Sequence, residues 1–177
     1  TPCSFSGTAP DQTATCEGDQ SAGIRSGGGG DFSAANVTVL EVKNLSGGIT
    51  PTPGVNADGI RFTSTRDVTV NSTADITVSG QFADGIEARS NFGGAVSPGG
   101  NVVVDSTGTI TSGDARGIYA SAGNVPTPSF NVSVKNNGAI TAREEGIYAR
   151  SQSGTVTVDS TGKITSSADP ATEPFFA

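Results

Sequence analysis

Three short phrases recur in the same order along this chain. A V-x-V phrase, an Ile-Thr pair and a Gly-Ile pair each occur five times, and GIYA at 117–120 returns at 146–149. A catalytic motif has no reason to appear twice. A unit that buries its apolar side only by stacking on copies of itself must recur. The repeat therefore predicts a solenoid.

The spacing within the repeat predicts the geometry of each coil. The first valine of V-x-V lies 8 residues before the next Ile-Thr isoleucine in four copies and 12 residues before it in the first copy, at 37–39. Both valines of V-x-V are expected on one side of a strand, as are the Ile and Ala of GIYA. Insertions gather mainly at the corner before V-x-V. Three strands in about 24 residues, with parallel crossovers that are nearly always right-handed, predict an all-β, right-handed three-sided parallel β-helix of about five to six coils. A β-sandwich does not explain why the same phrases return in register.

The repeated apolar residues are expected to form columns inside this rod. The predicted isoleucine column follows the Gly-Ile pairs: Ile24, Ile60, Ile86, Ile118 and Ile147. Small residues, Ala88, Ala120 and Ala149, are expected beside it. The glycines at 108, 138 and 162 occupy one equivalent corner, where a positive φ is predicted, and Ala74 takes that place in the second coil.

The two cysteines, Cys3 and Cys16, lie in the segment 1–20, which is predicted to be an N-terminal cap on the coils of 21–177. A disulfide between them closes a loop of about 14 residues and stabilises the fold by roughly 3 kcal/mol. Such a bond is typical of secreted or periplasmic proteins. The alternative is two separate buried thiols.

The composition argues against several classes of function. The formal net charge is −7, whereas nucleic-acid binding needs a basic face. No apolar run approaches the roughly 18 residues of a membrane-spanning helix. The chain contains no histidine, which excludes a Ser-His triad and a His-ligated metal site.

Several phrases carry a family resemblance over about residues 16–177. STGTITSGDARGIYA, NNGAITAREEGIYARS and the opening CEGDQSAGI resemble pertactin-like autotransporter passenger domains of Gram-negative bacteria, the type V secretion proteins. The resemblance implies a truncated passenger fragment, exported through the periplasm and outer membrane and displayed at the cell surface. It also implies adhesion or self-association, with membrane contact only through a C-terminal barrel outside this sequence.

Carboxylates supply the main candidates for chemistry. Enzymes with this fold need clustered acids, and Asp58 and Asp84 precede Gly-Ile in adjacent coils, about one rung apart. Since other copies of the phrase carry different residues there, a corner-capping role is favoured over a catalytic pair. The segment 27–32, GGGGDF, suggests an acidic calcium turn, but the calcium-binding nonapeptide of β-helices is absent.

One column of threonines follows the Ile-Thr pairs: Thr50, Thr77, Thr111, Thr141 and Thr165. Ice-binding solenoids display two such columns on a flat face. A single column favours hydroxyl stacking between strands instead.

An outward column of mixed chemistry follows the Gly-Ile isoleucines and contains Glu87, Tyr119 and Tyr148. Two residues further along lie Arg89 and Arg150. Tyrosines flanked by arginines are suited to holding a sugar ring or a peptide. We predict that this face and the loops 89–101 and 121–131 form an adhesive surface for a glycan, a protein receptor or a neighbouring copy. The competing interpretation is a surface aromatic ladder that only stabilises strands.

The leading functional prediction is thus a non-enzymatic surface protein without a cofactor. The alternatives are a carbohydrate-active β-helix enzyme and a spacer that displays another domain.

Overall fold

The computed structural model describes residues 2–27, 29–90, 99–123 and 129–167, and the regular elements in these ranges are all β-strands. The strands, in chain order, are β1 Ser4–Ser6, β2 Gln12–Gly18, β3 Ile24–Arg25, β4 Val37–Leu45, β5 Ile60–Ser64, β6 Val68–Ser72, β7 Ile76–Val78, β8 Ile86–Ser90, β9 Val102–Ser106, β10 Ile110–Ser112, β11 Ile118–Ala122, β12 Val132–Asn136, β13 Ile140–Ala142, β14 Ile147–Ser151, β15 Val156–Ser160 and β16 Ile164–Ser166.

These strands form three sheets, one for each repeated phrase. The valine sheet runs β1-β2-β4-β6-β9-β12-β15, the threonine sheet β16-β13-β10-β7 and the tyrosine sheet β14-β11-β8-β5-β3. All neighbours within them are parallel except β1 and β2. The predicted three-sided parallel β-helix is therefore confirmed.

The number of turns is lower than the predicted five to six. A complete turn contributes one strand to each sheet, and the threonine sheet has four strands among the described residues. In the first coil, Ile49 makes only an isolated bridge to Ile76, so that coil has no regular strand on this side. The final segment, 168–177, lies outside the described residues. The solenoid has about four turns.

The interior consists of the predicted columns. Ile24, Ile60, Ile86 and Ile118 are stacked in register and fully buried, and Ile147 extends the column at the last described rung, where it is half-buried. The neighbouring column contains Ala88, Ala120 and Ala149 beneath one large residue, Phe62. Its ring packs edge-on against Phe32 at 4.9 Å between centroids, which fills the first coil with aromatic volume.

One aligned phrase, at 37–39, is out of register with the others. Val37 is buried, but Val39 faces outward and lies opposite Thr69, because β4 carries an extra residue relative to β2. Leu40 and Val42 supply the inward side chains that pair with Val70 and Ser72. The prediction that both valines of this copy point inward was wrong.

The Gly-Ile and Ile-Thr phrases recur together because they touch. A Cβ atom on Gly85 would lie 2.3 Å from Ile110 Cγ2 and 2.6 Å from Gly117 O. Real Cβ contacts are never this short. A Cβ atom on Gly59, Gly117 or Gly146 would likewise lie 2.2–2.3 Å from Cγ2 of its partner isoleucine. The glycine is thus required by rung packing, and any side chain there would separate the sheets.

The corner glycines have a different explanation from the predicted one. Gly108, Gly138 and Gly162 do not have positive φ. They are needed because a Cβ on Gly138 would lie 1.9 Å from Gly108 O. Ala74 is tolerated at the top of this column because the corner beyond it, near Gly47, opens into a cavity of about 400 Å³.

The N-terminal segment covers the first edge of the valine sheet. Strand β1 pairs antiparallel with β2, which itself lies parallel to β4. Cys3 and Cys16 form the predicted disulfide, and both are buried. Because an open strand edge invites pairing with other chains, β1 protects this end of the solenoid.

Candidate functional site

The outward column of the tyrosine sheet is stacked in register, as the repeat predicts. The residues after each Gly-Ile isoleucine pair directly from rung to rung: Arg25, Arg61, Glu87, Tyr119 and Tyr148. Adjacent parallel strands lie about 4.8 Å apart, so each side chain lies next to the one above and the one below. The column therefore brings residues that are 26–36 positions apart in sequence into one continuous surface.

Beside this column lies an open cleft of about 310 Å³, here called the arginine cleft. Its lining comes from successive coils and includes Asp58, Arg61, Phe82, Glu87, Arg116 and Tyr119. The side chains are mostly charged or aromatic, with Asn56 and Ala115 as the exceptions. Ligand sites are usually concave and mostly apolar, with a few placed polar groups. This cleft is concave but mainly polar, which suits a ligand rich in hydrogen-bonding groups.

Asp58 and Asp84 form a ladder along the floor of this cleft. Asp58 Oδ1 accepts a hydrogen bond from Asp84 N–H at 2.8 Å, and Asp84 Oδ1 accepts one from Arg116 N–H at 3.0 Å. Each carboxylate thus caps the backbone of the next rung. This geometry agrees with the corner-capping role expected for the phrase ADGI.

Burial changes the acidity of both carboxyl groups. Desolvation raises the pKa of Asp58 to about 7, although the hydrogen bond from Asp84 N–H opposes it. Desolvation likewise raises the pKa of Asp84 to about 6, against the hydrogen bond and the positive charge of Arg116. Among the described residues, Asp58 Oδ2 receives no hydrogen bond, and Arg61 Nη1 lies 3.7 Å away.

Ion pairs between arginines and acids neutralise most of the other charged side chains at the cleft. The buried carboxylate of Glu87 lies 2.9 Å from Arg61 Nε and 3.2 Å from Arg89 Nη1. Arg116 Nε lies 3.2 Å from Glu145, and its Nη1 is 3.6 Å from Asp84. The Arg61–Glu87, Arg116–Glu145 and Arg116–Asp84 pairs join different rungs, whereas Arg89 and Glu87 both belong to β8.

The two tyrosines are packed together and against arginines. The rings of Tyr119 and Tyr148 meet edge to face, with centroids 5.3 Å apart. The guanidinium of Arg116 lies 4.6 Å from the Tyr119 centroid and 5.2 Å from that of Tyr148, and Arg89 lies 5.3 Å from Tyr119. Such cation–π contacts fix the rings in place. They are consistent with a stabilising ladder and also with a preformed binding surface.

The structure brings four of the five predicted binding residues together. Glu87, Arg89 and Tyr119 line the arginine cleft, and Tyr148 packs on Tyr119. Arg150 is exposed, lies in register with Ser121 and does not line the cleft. Most of the predicted adhesive loops, 91–98 and 124–128, lies outside the described residues.

Phe82 is a cleft residue that the sequence reasoning missed. Its side chain is 56% exposed, and its φ is +56°, which is unusual for an aromatic residue. The signal was present in the repeat, because NADGI at 56–60 becomes FADGI at 82–86. A large apolar residue replaces asparagine at an exposed turn, where solvation favours a polar side chain.

The remaining candidate positions do not form such a site. Asp31 Oδ2, in the GGGGDF segment, accepts a hydrogen bond from Arg25 N–H at 2.8 Å and so closes a turn. Within the described ranges, no three acidic or cysteine side chains are grouped to hold a metal ion. Thr77, Thr111, Thr141 and Thr165 form the expected exposed, in-register ladder.

Comparison with protein-family models, with curated proteins and with solved structures finds no match to this chain. In the part of the chain that the structure describes, no helix has the length and apolarity needed to cross a membrane. The chemistry available to the cleft therefore follows from its own groups. Exposed aromatic surface beside guanidinium and carboxylate groups allows binding by stacking and by paired hydrogen bonds.

Proposed function

We propose that this chain is a fragment of a non-enzymatic, surface-displayed passenger of the autotransporter type, which acts in adhesion by binding a surface glycan. The arginine cleft is its binding site. The family assignment is supported by the repeated phrases and is compatible with the disulfide-closed β-helix. A rigid solenoid suits this role because it presents side chains from several rungs at fixed spacing.

The observation that carries the binding role is the convergence of Tyr119, Arg89 and Phe82 on one open cleft. These residues come from β11, β8 and the turn before β8, and the ion pairs of Glu87 hold the arginines in place. Preordered side chains lose little conformational entropy on binding. A ligand therefore meets a surface that is already assembled.

Alanine substitution of the two tyrosines tests this proposal. We expect Tyr119→Ala and Tyr148→Ala to weaken binding to a printed array of neutral, sialylated and sulfated oligosaccharides, and to weaken adhesion of coated beads to cells. Phe5→Ala is the matched control, because Phe5 is an exposed aromatic residue on the N-terminal cap. Unchanged binding by both tyrosine variants, with far-UV circular dichroism unchanged, would remove the cleft from consideration.

The carbohydrate-active enzyme is a second candidate, favoured by the raised pKa values of Asp58 and Asp84 in a cleft. Against it, both carboxyl groups are almost fully buried, and one oxygen of each is occupied by a backbone N–H. Assays for new reducing ends or unsaturated sugars on a panel of polysaccharides separate the two functions. Turnover that Asp58→Asn abolishes would establish the enzyme.

A further inference from the structure

Phe82 occupies a backbone position that is unfavourable for it. Ala83 N–H donates to Gly80 O at 3.1 Å and closes a four-residue turn in which Phe82 is third. With φ at +56°, this third position is one that glycine or asparagine normally fills. Left-handed backbone in a bulky residue is strained, and such strain persists where a function requires it.

The preceding coil shows a residue that suits the backbone of the same turn. Ala57 N–H donates to Gly54 O at 3.2 Å, and the third residue is Asn56, with φ +54°. The two turns are stacked, since Asn56 N–H donates to Gln81 O at 2.8 Å. Asparagine suits this backbone, so the repeat itself provides the residue that stability alone would favour at 82.

The backbone at Phe82 is held firmly in this conformation. Its N–H donates to Asp114 Oδ2 at 3.1 Å, and Asp114 is paired with Arg143 from the next coil. The ring is nevertheless left in solvent, at the edge of a cleft whose other walls are charged. Two unfavourable features, an exposed ring and a strained backbone, are therefore maintained together.

We propose that Phe82 is the platform on which a pyranose ring of a neutral glycan stacks in the arginine cleft. This inference rests on the proposed adhesive function. The apolar face of the sugar covers the exposed ring, and its hydroxyls meet the side chains of Asn56, Arg89 and Glu144 that line the same cleft. Planar amide, guanidinium and carboxylate groups each offer paired hydrogen bonds to neighbouring hydroxyls.

The charge of the cleft favours a neutral glycan over an acidic one. The lining contains the acids Asp58, Asp84, Glu87 and Glu144 against the arginines 61, 89 and 116. These arginines already pair with acids of the cleft, and the whole chain carries a net charge of −7. The cleft therefore offers no excess of positive charge to a sialylated or sulfated chain, and the net negative charge of the protein disfavours the approach of such a chain.

The same lining disfavours a protein partner that docks through apolar contacts. Phe82 is the one large aliphatic or benzyl side chain among the described residues of the cleft, and most of the other lining side chains are polar. Protein hot spots are instead aromatic anchors in well-packed, desolvated pockets. A single exposed ring surrounded by polar groups matches a sugar better.

Phe82→Asn tests the proposal, because it installs the residue that the preceding coil uses at the same backbone position. We expect its melting temperature to stay unchanged or to rise by roughly 2–4 °C, as strain is relieved. We expect its binding to the neutral members of the oligosaccharide array to fall about tenfold or more. Phe5→Asn, on the cap, is the matched control and should retain full binding.

Tyrosine fluorescence gives an independent readout in solution. The chain has two tyrosines and no tryptophan, and both tyrosines lie at or beside the cleft. Titration with the neutral oligosaccharide that gives the strongest array signal should change the emission of the wild-type chain at lower concentrations than that of Phe82→Asn. Phe82→Gly, which also accepts positive φ, replaces the asparagine variant if that variant does not fold.

The outcomes separate this inference from the proposed function. Loss of binding in Tyr119→Ala but full binding in Phe82→Asn would overturn the platform and leave the adhesive cleft intact. Binding of the wild-type chain only to sialylated or sulfated members, or only to a protein, would overturn the neutral glycan. No binding of the wild-type chain to any oligosaccharide would overturn both.

Discussion

Replacing Gly138 with alanine tests the close stacking of the coils at a single atom. A Cβ at this position would lie 1.9 Å from Gly108 O and 2.6 Å from Gly108 C in the rung above. Both are backbone atoms, so no side-chain rotation relieves the overlap. Ordinary contact begins near 3.4 Å, and the rungs would therefore have to separate by about 1.5 Å at this corner.

The hydrogen bonds on either side set the cost of that separation. Asn137 N–H donates to Ser106 O at 2.8 Å, and Ile110 N–H donates to Ala139 O at 2.9 Å, across the same two rungs. An opening of about 1.5 Å would stretch both to about 4 Å, beyond hydrogen-bonding distance. A buried group that loses its partner costs about 1–3 kcal/mol, so Gly138→Ala should destabilise the fold by about 3–5 kcal/mol.

Thermal and urea denaturation followed by far-UV circular dichroism measure this effect. We expect the melting temperature of Gly138→Ala to fall by roughly 10 °C. Gly113→Ala is the matched control, because its Cβ would meet Ser79 Cα at an ordinary 3.5 Å and its φ is not positive. The control should stay within about 0.5 kcal/mol of wild type. Equal stability of the two variants would refute close stacking at this corner.

Two further predictions concern pH and redox conditions. Because the folded state raises the pKa of Asp58 to about 7 and that of Asp84 to about 6, it keeps protons that the unfolded chain releases above about pH 4. The free energy of unfolding should therefore fall as the pH rises from about 4 to about 7. The Asp58→Asn variant should show a flatter pH profile, whereas the control variant at an exposed acid, Asp159→Asn, should keep the wild-type profile. A wild-type free energy of unfolding that rises over the same pH range would contradict the reasoning. Reduction of the Cys3–Cys16 disulfide should lower stability by about 3 kcal/mol, since the bond closes a separation of 13 residues. A urea midpoint that reductant leaves unchanged would show that the cap contributes nothing.

The fold was predictable from the sequence because the repeated phrases give the period of the coils directly. Three phrases at near-constant spacing define three sheets, and the in-register stacking of Ile60, Ile86 and Ile118 follows directly. The outward position of Tyr119 and Tyr148 follows from the same alternation. The disulfide was foreseeable as one of two alternatives, since two nearby cysteines permit but do not require a bond.

Other features depend on local geometry that a repeat does not encode. The extra residue in β4 turns Val39 outward. The longer spacing of this copy, 12 residues to Ile49 instead of 8, marks it as irregular but does not show which residue changes side. The repeat predicts a positive φ at Gly138, whereas the residue is in fact constrained by the carbonyl oxygen of Gly108, which is 30 residues away in sequence. Phe82 was not predicted because the two copies were matched on their shared residues, ADGI, and the differing residue before them was not considered.

Cysteine cross-linking between rungs tests the central claim, that distant copies of one phrase stack directly on each other. Thr111 and Thr141 are exposed in-register neighbours on the threonine sheet, whereas Thr77 and Thr141 lie two rungs apart. Neighbouring rungs lie about 4.8 Å apart, within the Cα separation that a disulfide spans, and two rungs at about 10 Å exceed it. Under mild oxidation, with peptide mapping by mass spectrometry, the Thr111→Cys/Thr141→Cys chain should form the new disulfide and the Thr77→Cys/Thr141→Cys chain should not. Failure of the first pair to cross-link, or equally rapid cross-linking of the second, would contradict the stacked solenoid.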